Sequence, residues 1–289
     1  MAVVAAGSPA AIPDLRQRVL SLLARPAVEP EAPQLQQPTR EEEGADVLSQ
    51  QRWLVRADPT DAGLVPTLCV RQKKLLGRRL PVVIVLHGTG GSKDEMLPHL
   101  RRYANMGFLA CAIDSRYHGE RGDPQQYTQA LVAAWHANKK GGEPSTQQRP
   151  FMYDTAWDLT KIMDWLCTRT DVDPLRIGIT GVSLGGMHSW LAAAADPRIA
   201  AVAPLIGVQG YRFALDHEMY MGRVGSIQPV FEAIAASMGT SIDAKLVEAV
   251  WEHLCPGLVH GDMAMDAPSS LRLIAPRPML IMNGEDDPR

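Results

Sequence analysis

Ser183 lies in Gly181-Val182-Ser183-Leu184-Gly185-Gly186, directly after the run Arg176-Ile177-Gly178-Ile179-Thr180. The Gly-x-Ser-x-Gly spacing, set between a strand signal and a helix signal, has a mechanical consequence. A serine on such a turn is held in a strained backbone conformation with its hydroxyl above the sheet, and the glycines let strand and helix approach closely. That hydroxyl becomes a nucleophile when a base and an anion-stabilising pocket stand beside it. The competing reading is a plain helix N-cap. A second small-residue loop, Leu86-His87-Gly88-Thr89-Gly90-Gly91, follows the apolar run 81–86. Its backbone N–H groups can face a reacting carbonyl, with the N–H of Leu184 as one donor and that of Thr89 as its partner. His87 reads as a brace for this loop. The same glycines do not make a nucleotide site. The stretch Gly88 to Lys93 lacks the adjacent Gly-Lys of a phosphate loop and ends in Lys where a dinucleotide fingerprint has Gly or Ala.

A hydrolytic serine also needs an acid and a base. The apolar run Met279-Leu280-Ile281-Met282 leads into Asn283-Gly284-Glu285-Asp286-Asp287. An acidic loop after a late strand is where the acid of such a triad falls in chain order. Asp287 is the first choice and Asp286 the reserve, against a solvated surface turn. All eight histidines precede that acid: His87, His99, His118, His136, His188, His217, His253 and His260. His118, in a loop at the carboxyl end of a strand, and His260, in a later insertion, are the two that could approach Ser183. His188, on the helix after Ser183, reads as an ordinary polar residue there.

The elements that must position these groups follow from the apolar pattern. Runs at 81–86, 107–114, 176–182, 199–206 and 278–282 are continuous, as for strands buried on both faces of a parallel sheet. Helical periods lie between them at 94–105, 153–168 and from Ser183 through Ala195. Strands alternating with helices imply a mostly parallel sheet with right-handed crossovers, flanked by helices. Residues 1–50 read as a short amphipathic helix, with Leu15, Val19, Leu22 and Leu23 on one face, followed by a flexible connector rich in Pro, Glu and Gln. Residues 51–289 read as one domain. From about 207 to 274 the alternation stops, with helical segments near 230–238 and 244–254. This insertion reads either as a lid or as extra packing helices. Its methionines (Met219, Met221, Met238, Met263, Met265) suit an adaptable acyl pocket or plain core.

Composition narrows the function classes. With 46% hydrophobic and 21% charged residues and a formal charge of −3, nothing suggests nucleic acid or an anionic membrane as partner. No apolar stretch reaches the length of a membrane span. The four scattered cysteines read as buried free thiols, and with no secretory signal evident a cytoplasmic protein is expected, weak organelle targeting remaining open.

In their order, HGTGGS, GVSLGG and NGEDD resemble the α/β-hydrolase superfamily over about residues 52–289. The stretch Asp114-Ser115-Arg116-Tyr117-His118-Gly119-Glu120-Arg121 resembles the branch of dienelactone hydrolases, acetyl xylan esterases and prolyl-oligopeptidase-type peptidases. The resemblance implies an α/β-hydrolase fold with a helical lid insertion and a serine hydrolase that cleaves a small carboxylic ester through an acyl-enzyme. It implies no metal or other cofactor and no statement on oligomeric state. It also implies a histidine on the loop after the acid. That position is not occupied here, which makes a chain lacking its last strand and helix the expectation. Two alternatives stand beside this: a non-catalytic binding protein on the same fold, and a serine peptidase.

Overall fold

The computed structural model describes residues 12–28, 32–41, 47–137 and 149–285. Seven strands form one sheet: β1 (Gln34–Glu41), β2 (Leu48–Arg56), β3 (Leu64–Gln72), β4 (Leu80–Leu86), β5 (Leu109–Ile113), β6 (Val172–Val182) and β7 (Ala201–Leu205). Their order is β1-β2-β3-β5-β4-β6-β7. The sheet is mixed. The pairs β1–β2, β2–β3 and β3–β5 are antiparallel, whereas β5–β4, β4–β6 and β6–β7 are parallel. The parallel half carries the site, and the antiparallel half extends the sheet away from it. Residues 34–41, which composition assigns to the connector, form β1. An edge strand tolerates Pro38 because one side of its backbone faces no ladder, and the register against β2 slips twice around that proline.

The pleat divides the core. Val82, Ile84 and Leu86 of β4 join the cluster beneath helices α4 (Phe151–Thr168) and α5 (Leu184–Ala195), while Val83 and Val85 face Leu100 and Ala104 of α2 (Leu97–Asn105). Alternate side chains of a strand point to opposite faces, so one strand feeds both layers. Helix α1 (Ile12–Leu23) buries Leu15, Val19, Leu22 and Leu23 against α4 and α5. Arg16 donates to the carbonyl of Leu273 at 2.6 Å, which ties α1 to the end of the insertion. Between β5 and β6 stands α3 (Pro124–Ala137). After β7 the insertion folds as α6 (Tyr211–Asp216), α7 (Met221–Val224), α8 (Gln228–Met238), α9 (Ala244–Leu254) and α10 (Ala267–Ser270).

The run 278–282 lies parallel to the end strand β7, with bridges Val202–Met279 and Leu205–Met282 and backbone hydrogen bonds from Val202 N–H to Pro278 O at 3.1 Å, Leu280 N–H to Val202 O at 3.0 Å and Met282 N–H to Pro204 O at 3.2 Å. Leu280 and Met282 remain 58% and 54% exposed, so this segment is an apolar edge added to β7. Among the described residues no helix is long and apolar enough to cross a membrane. Asp286 and Asp287 lie outside the described residues.

Candidate active site

Ser183 joins β6 to α5 at φ 55°, ψ −112°, a combination that an L residue enters only when its surroundings enforce it. The enforcement is visible. The N–H of Ser183 donates to Leu205 O at 2.8 Å, and its carbonyl accepts from Met187 N–H at 3.0 Å. A Cβ on Gly185 would lie 2.4 Å from the carbonyl oxygen of Leu86, and one on Gly181 would lie 2.5 Å from the Gly185 carbonyl carbon. Backbone therefore meets backbone on both sides of the turn. The Ser183 side chain makes no capping hydrogen bond, and a capping serine is defined by that bond. The N-cap reading thus lacks its one required contact.

Ser183 lines a cavity of about 230 Å³ together with Thr89, Leu184 and His118. Leu184 is the first residue of α5, so its N–H has no intrahelical acceptor. Thr89 comes from the loop after β4, where Gly90 takes φ +79° and Gly91 N–H closes a turn onto Gly88 O at 3.1 Å. The sequence-predicted Ser183, Thr89 and Leu184 are thus brought to one cavity.

The loops that carry these groups are tied from below. Buried His87 places Nδ1 2.8 Å from Gly88 O, and its Nε2 accepts from Ser115 N–H at 3.1 Å. Burial lowers the pKa of its imidazole, and a neutral ring is what this donor-plus-acceptor pattern requires. His87 is therefore a brace between the β4 and β5 loops. Asp114 accepts from Lys93 N–H at 2.7 Å and from Lys93 Nζ at 2.8 Å. Burial alone would lower the Lys93 ammonium, but the hydrogen bonds to Asp114 and Glu120 outweigh it and leave it raised. The β5 loop is held further by Arg116, whose guanidinium pairs with Asp58 and Asp158.

The two histidine candidates separate. His260 sits on the insertion, half exposed, 3.3 Å from Glu248 Oε1, and it does not line the cavity. His118 is 2% exposed and does. Its Nδ1 lies 2.8 Å from Arg116 O, and its Nε2 is buried with no hydrogen-bond partner among the described residues. His188 is buried, with Nδ1 3.3 Å from Ser115 Oγ, and burial holds it well below the ordinary imidazole value. It is a neutral core residue on the helix that follows Ser183.

The cavity walls were not legible in advance. Tyr127 and Leu131 come from α3, Phe151 and Met152 from the start of α4, and Trp251 and Leu254 from α9. None of the five insertion methionines lines it. Met219, Met221 and Met238 are exposed, Met265 is core, and the methionines that do line it are Met152 and Met187. Cys255 also lines the cavity, but burial pushes its thiol up to about 12, so it stays protonated and is no nucleophile at neutral pH.

With this geometry in place, the sequence pattern of the dienelactone hydrolase family matches residues 65–253. The chain belongs to that family. It is 27% identical over 132 residues to the uncharacterized Escherichia coli (strain K12) protein YcjY, covering 45% of this chain and 36% of that one. It is 24% identical over 223 residues to Bacillus subtilis (strain 168) YitV, provisionally named an esterase, covering 77% and 74%. The chain thus spans about a third of the length of the first relative. The crystal structure of acetyl xylan esterase 1 from Thermoanaerobacterium sp. JW/SL YS485 superposes with a TM-score of 0.60 at 16% identity, covering 95% of this chain and 87% of that one. That likeness is one of fold, the α/β-hydrolase fold.

Proposed function

We propose that this dienelactone hydrolase family member is a serine hydrolase of small carboxylic esters. The observation that carries the reading is Ser183: a strained residue with an uncapped hydroxyl, in one cavity with Thr89 and the leading N–H of α5. The Ser183 oxygen attacks the ester carbonyl and gives its proton to an imidazole. The carbonyl oxygen becomes an oxyanion held by the N–H groups of Leu184 and Thr89, each such donor contributing about 2.7–4 kcal/mol to the barrier reduction. Collapse returns the proton to the departing alcohol and leaves an acyl-enzyme, which water hydrolyses by the same steps in reverse.

His118 is the imidazole that the described residues bring to the cavity. Donation from Nδ1 to the Arg116 carbonyl leaves Nε2 as its basic nitrogen. Ser183 and His118 are not hydrogen-bonded to each other, and such contacts often tighten only with substrate bound. Asp287 is proposed as the acid of the site, acting through its charge, since the Nδ1–H of His118 is already given to Arg116 O. In support, Ile206, a cavity residue, donates its N–H to Met282 O at 2.6 Å, and Asn283 Nδ2 donates to Val208 O at 2.9 Å. The acidic loop thus begins beside the site.

The test is covalent labelling by a fluorophosphonate with mass mapping, alongside release of p-nitrophenol from p-nitrophenyl esters. The reading expects label on Ser183, loss of both signals in Ser183→Ala, and an acyl-enzyme mass during turnover. A folded protein whose Ser183 takes no label and releases no p-nitrophenol would overturn it.

A further inference from the structure

We propose that the cavity beside Ser183 is an acyl pocket for a straight apolar chain of about six to eight carbons. This rests on the serine-hydrolase reading for its chemistry and names the substrate class of that site.

Three observations carry it. The first is the wall. Leu131 of α3, Phe151 and Met152 of α4, and Val250, Trp251 and Leu254 of α9 line the cavity that Ser183 also lines, with Gln209, Arg223 and Ser226 as polar groups elsewhere on its wall. All six apolar residues are buried. Apolar surface held open in this way is favourable only when another apolar group fills it. Met152 and Met187 add unbranched side chains that can follow the contour of a flexible guest.

The second is size. The cavity measures about 230 Å³, and at about 30 Å³ for each small group, the share of a liquid water, it holds about eight non-hydrogen atoms. An acetyl group would leave most of it empty.

The third is the direction of traffic. An acyl group stays attached to the serine through both half-reactions, while the alcohol must leave between them. The residues that α4 and α9 bring to the cavity are buried. Next to the nucleophile, Val182 and Ile206 are 46% and 41% exposed. The enclosed volume therefore suits the group that stays, and the open apolar shoulder suits entry and departure of the alcohol.

Ligand recognition can be read without turnover in Ser183→Ala, which keeps the cavity and cannot form the acyl-enzyme. Titration calorimetry with p-nitrophenyl acetate, butyrate, hexanoate, octanoate and decanoate isolates the acyl side, since the alcohol is constant. Burial of each methylene should tighten Kd about fourfold. The expected result is a fall of about two-hundredfold from acetate to hexanoate, levelling by octanoate. Leu254→Ala, or Leu131→Ala should the first variant not fold, lengthens the pocket and moves the plateau towards decanoate. A flat series, tightest binding of acetate, or no binding of any ester would overturn the proposal. Failure of the wild type to turn over any of these esters, with the affinity ladder intact, would refute the hydrolase reading and leave the pocket assigned. Turnover with a flat ladder would do the reverse.

Discussion

Replacing Ser183 once by alanine and once by glycine separates its chemistry from its strain. Both variants lose the hydroxyl, and neither loses a side-chain hydrogen bond within the turn, because Ser183 makes no cap bond. Alanine keeps a Cβ at φ 55°, ψ −112°, where a non-glycine residue costs about 1–3 kcal/mol. Glycine has no Cβ and is released from that cost. The conformation cannot relax in the alanine variant. Leu205 O, Met187 N and the backbone packed against Gly185 hold it from three sides. Against the relief stands the wider freedom of glycine in the unfolded chain, about 0.4–1 kcal/mol. Ser183→Gly should therefore be about 0.5–2 kcal/mol more stable than Ser183→Ala. At about 2 °C per kcal/mol for a domain of this size, that is about 1–4 °C in Tm. Differential scanning calorimetry of both variants at one pH reads the difference, with fluorophosphonate labelling confirming that both are inactive. Equal melting temperatures, or a less stable glycine variant, would refute the claim that the turn stores strain.

Gly185→Ala would set a Cβ 2.4 Å from Leu86 O and 2.7 Å from His87 O. Overpacking of this kind costs about 1–3 kcal/mol, and it drives the β4 loop from α5, so urea unfolding should shift and the Ser183 labelling rate should drop at least about tenfold; unchanged labelling would mean that the close approach is dispensable. His118→Gln should slow labelling about hundredfold, the lower end of the general-base range, and an unchanged rate would place the base outside the described residues. For Asp58, burial alone would raise the carboxyl, but Arg116 and Thr60 outweigh it and hold it below its ordinary value. A lowered carboxyl contributes stability that is full above its unfolded pKa of about 3.9 and is lost as pH falls through the folded value. Asp58→Asn should accordingly cost about 1.5–3 kcal/mol at pH 7, since Arg116 keeps Asp158, and the gap between variant and wild type should close below pH 4 in urea titrations. A gap independent of pH would remove the Arg116 pair from the account.

What was legible in the sequence was whatever a short window encodes. The strands β4 to β7, the helices α4, α5, α8 and α9, the amphipathic face of α1 and the strained turn at Ser183 are each written within a short stretch of residues. β1 is not legible because Gln34–Glu41 has no apolar alternation and a single β-branched residue, Thr39, next to a proline; its pairing with β2 makes it a strand. The cavity was missed for a related reason. Its walls combine α3 and α9, more than a hundred residues apart, and no periodicity marks which face of α9 meets α3. Histidine spacing could not choose between His118 and His260 either. The choice depends on where the insertion folds back, and that puts His260 against Glu248 rather than over Ser183.

Lys93 shows why a glycine-rich loop before a helix needs its charge traced before it is assigned a ligand. Read alone, small residues followed by Ser92-Lys93 hold the ingredients of an anion cradle, with N–H groups and an ammonium close together. In the fold the ammonium is turned away from that role. Lys93 is 1% exposed, with Nζ on Asp114 and Glu120 and its own N–H on Asp114. An ammonium neutralised inside the protein offers little field to a phosphate. It does hold the β4 loop to the β5 loop, and removing one partner of a buried pair leaves the other charge uncompensated at about 3–5 kcal/mol. The consequence for the site is directional. With the cation used internally, the β4 loop brings Thr89 to the cavity without a charge, and the uncharged N–H donors of the proposed reaction suit the transient oxyanion of an ester better than the permanent charge of a phosphate.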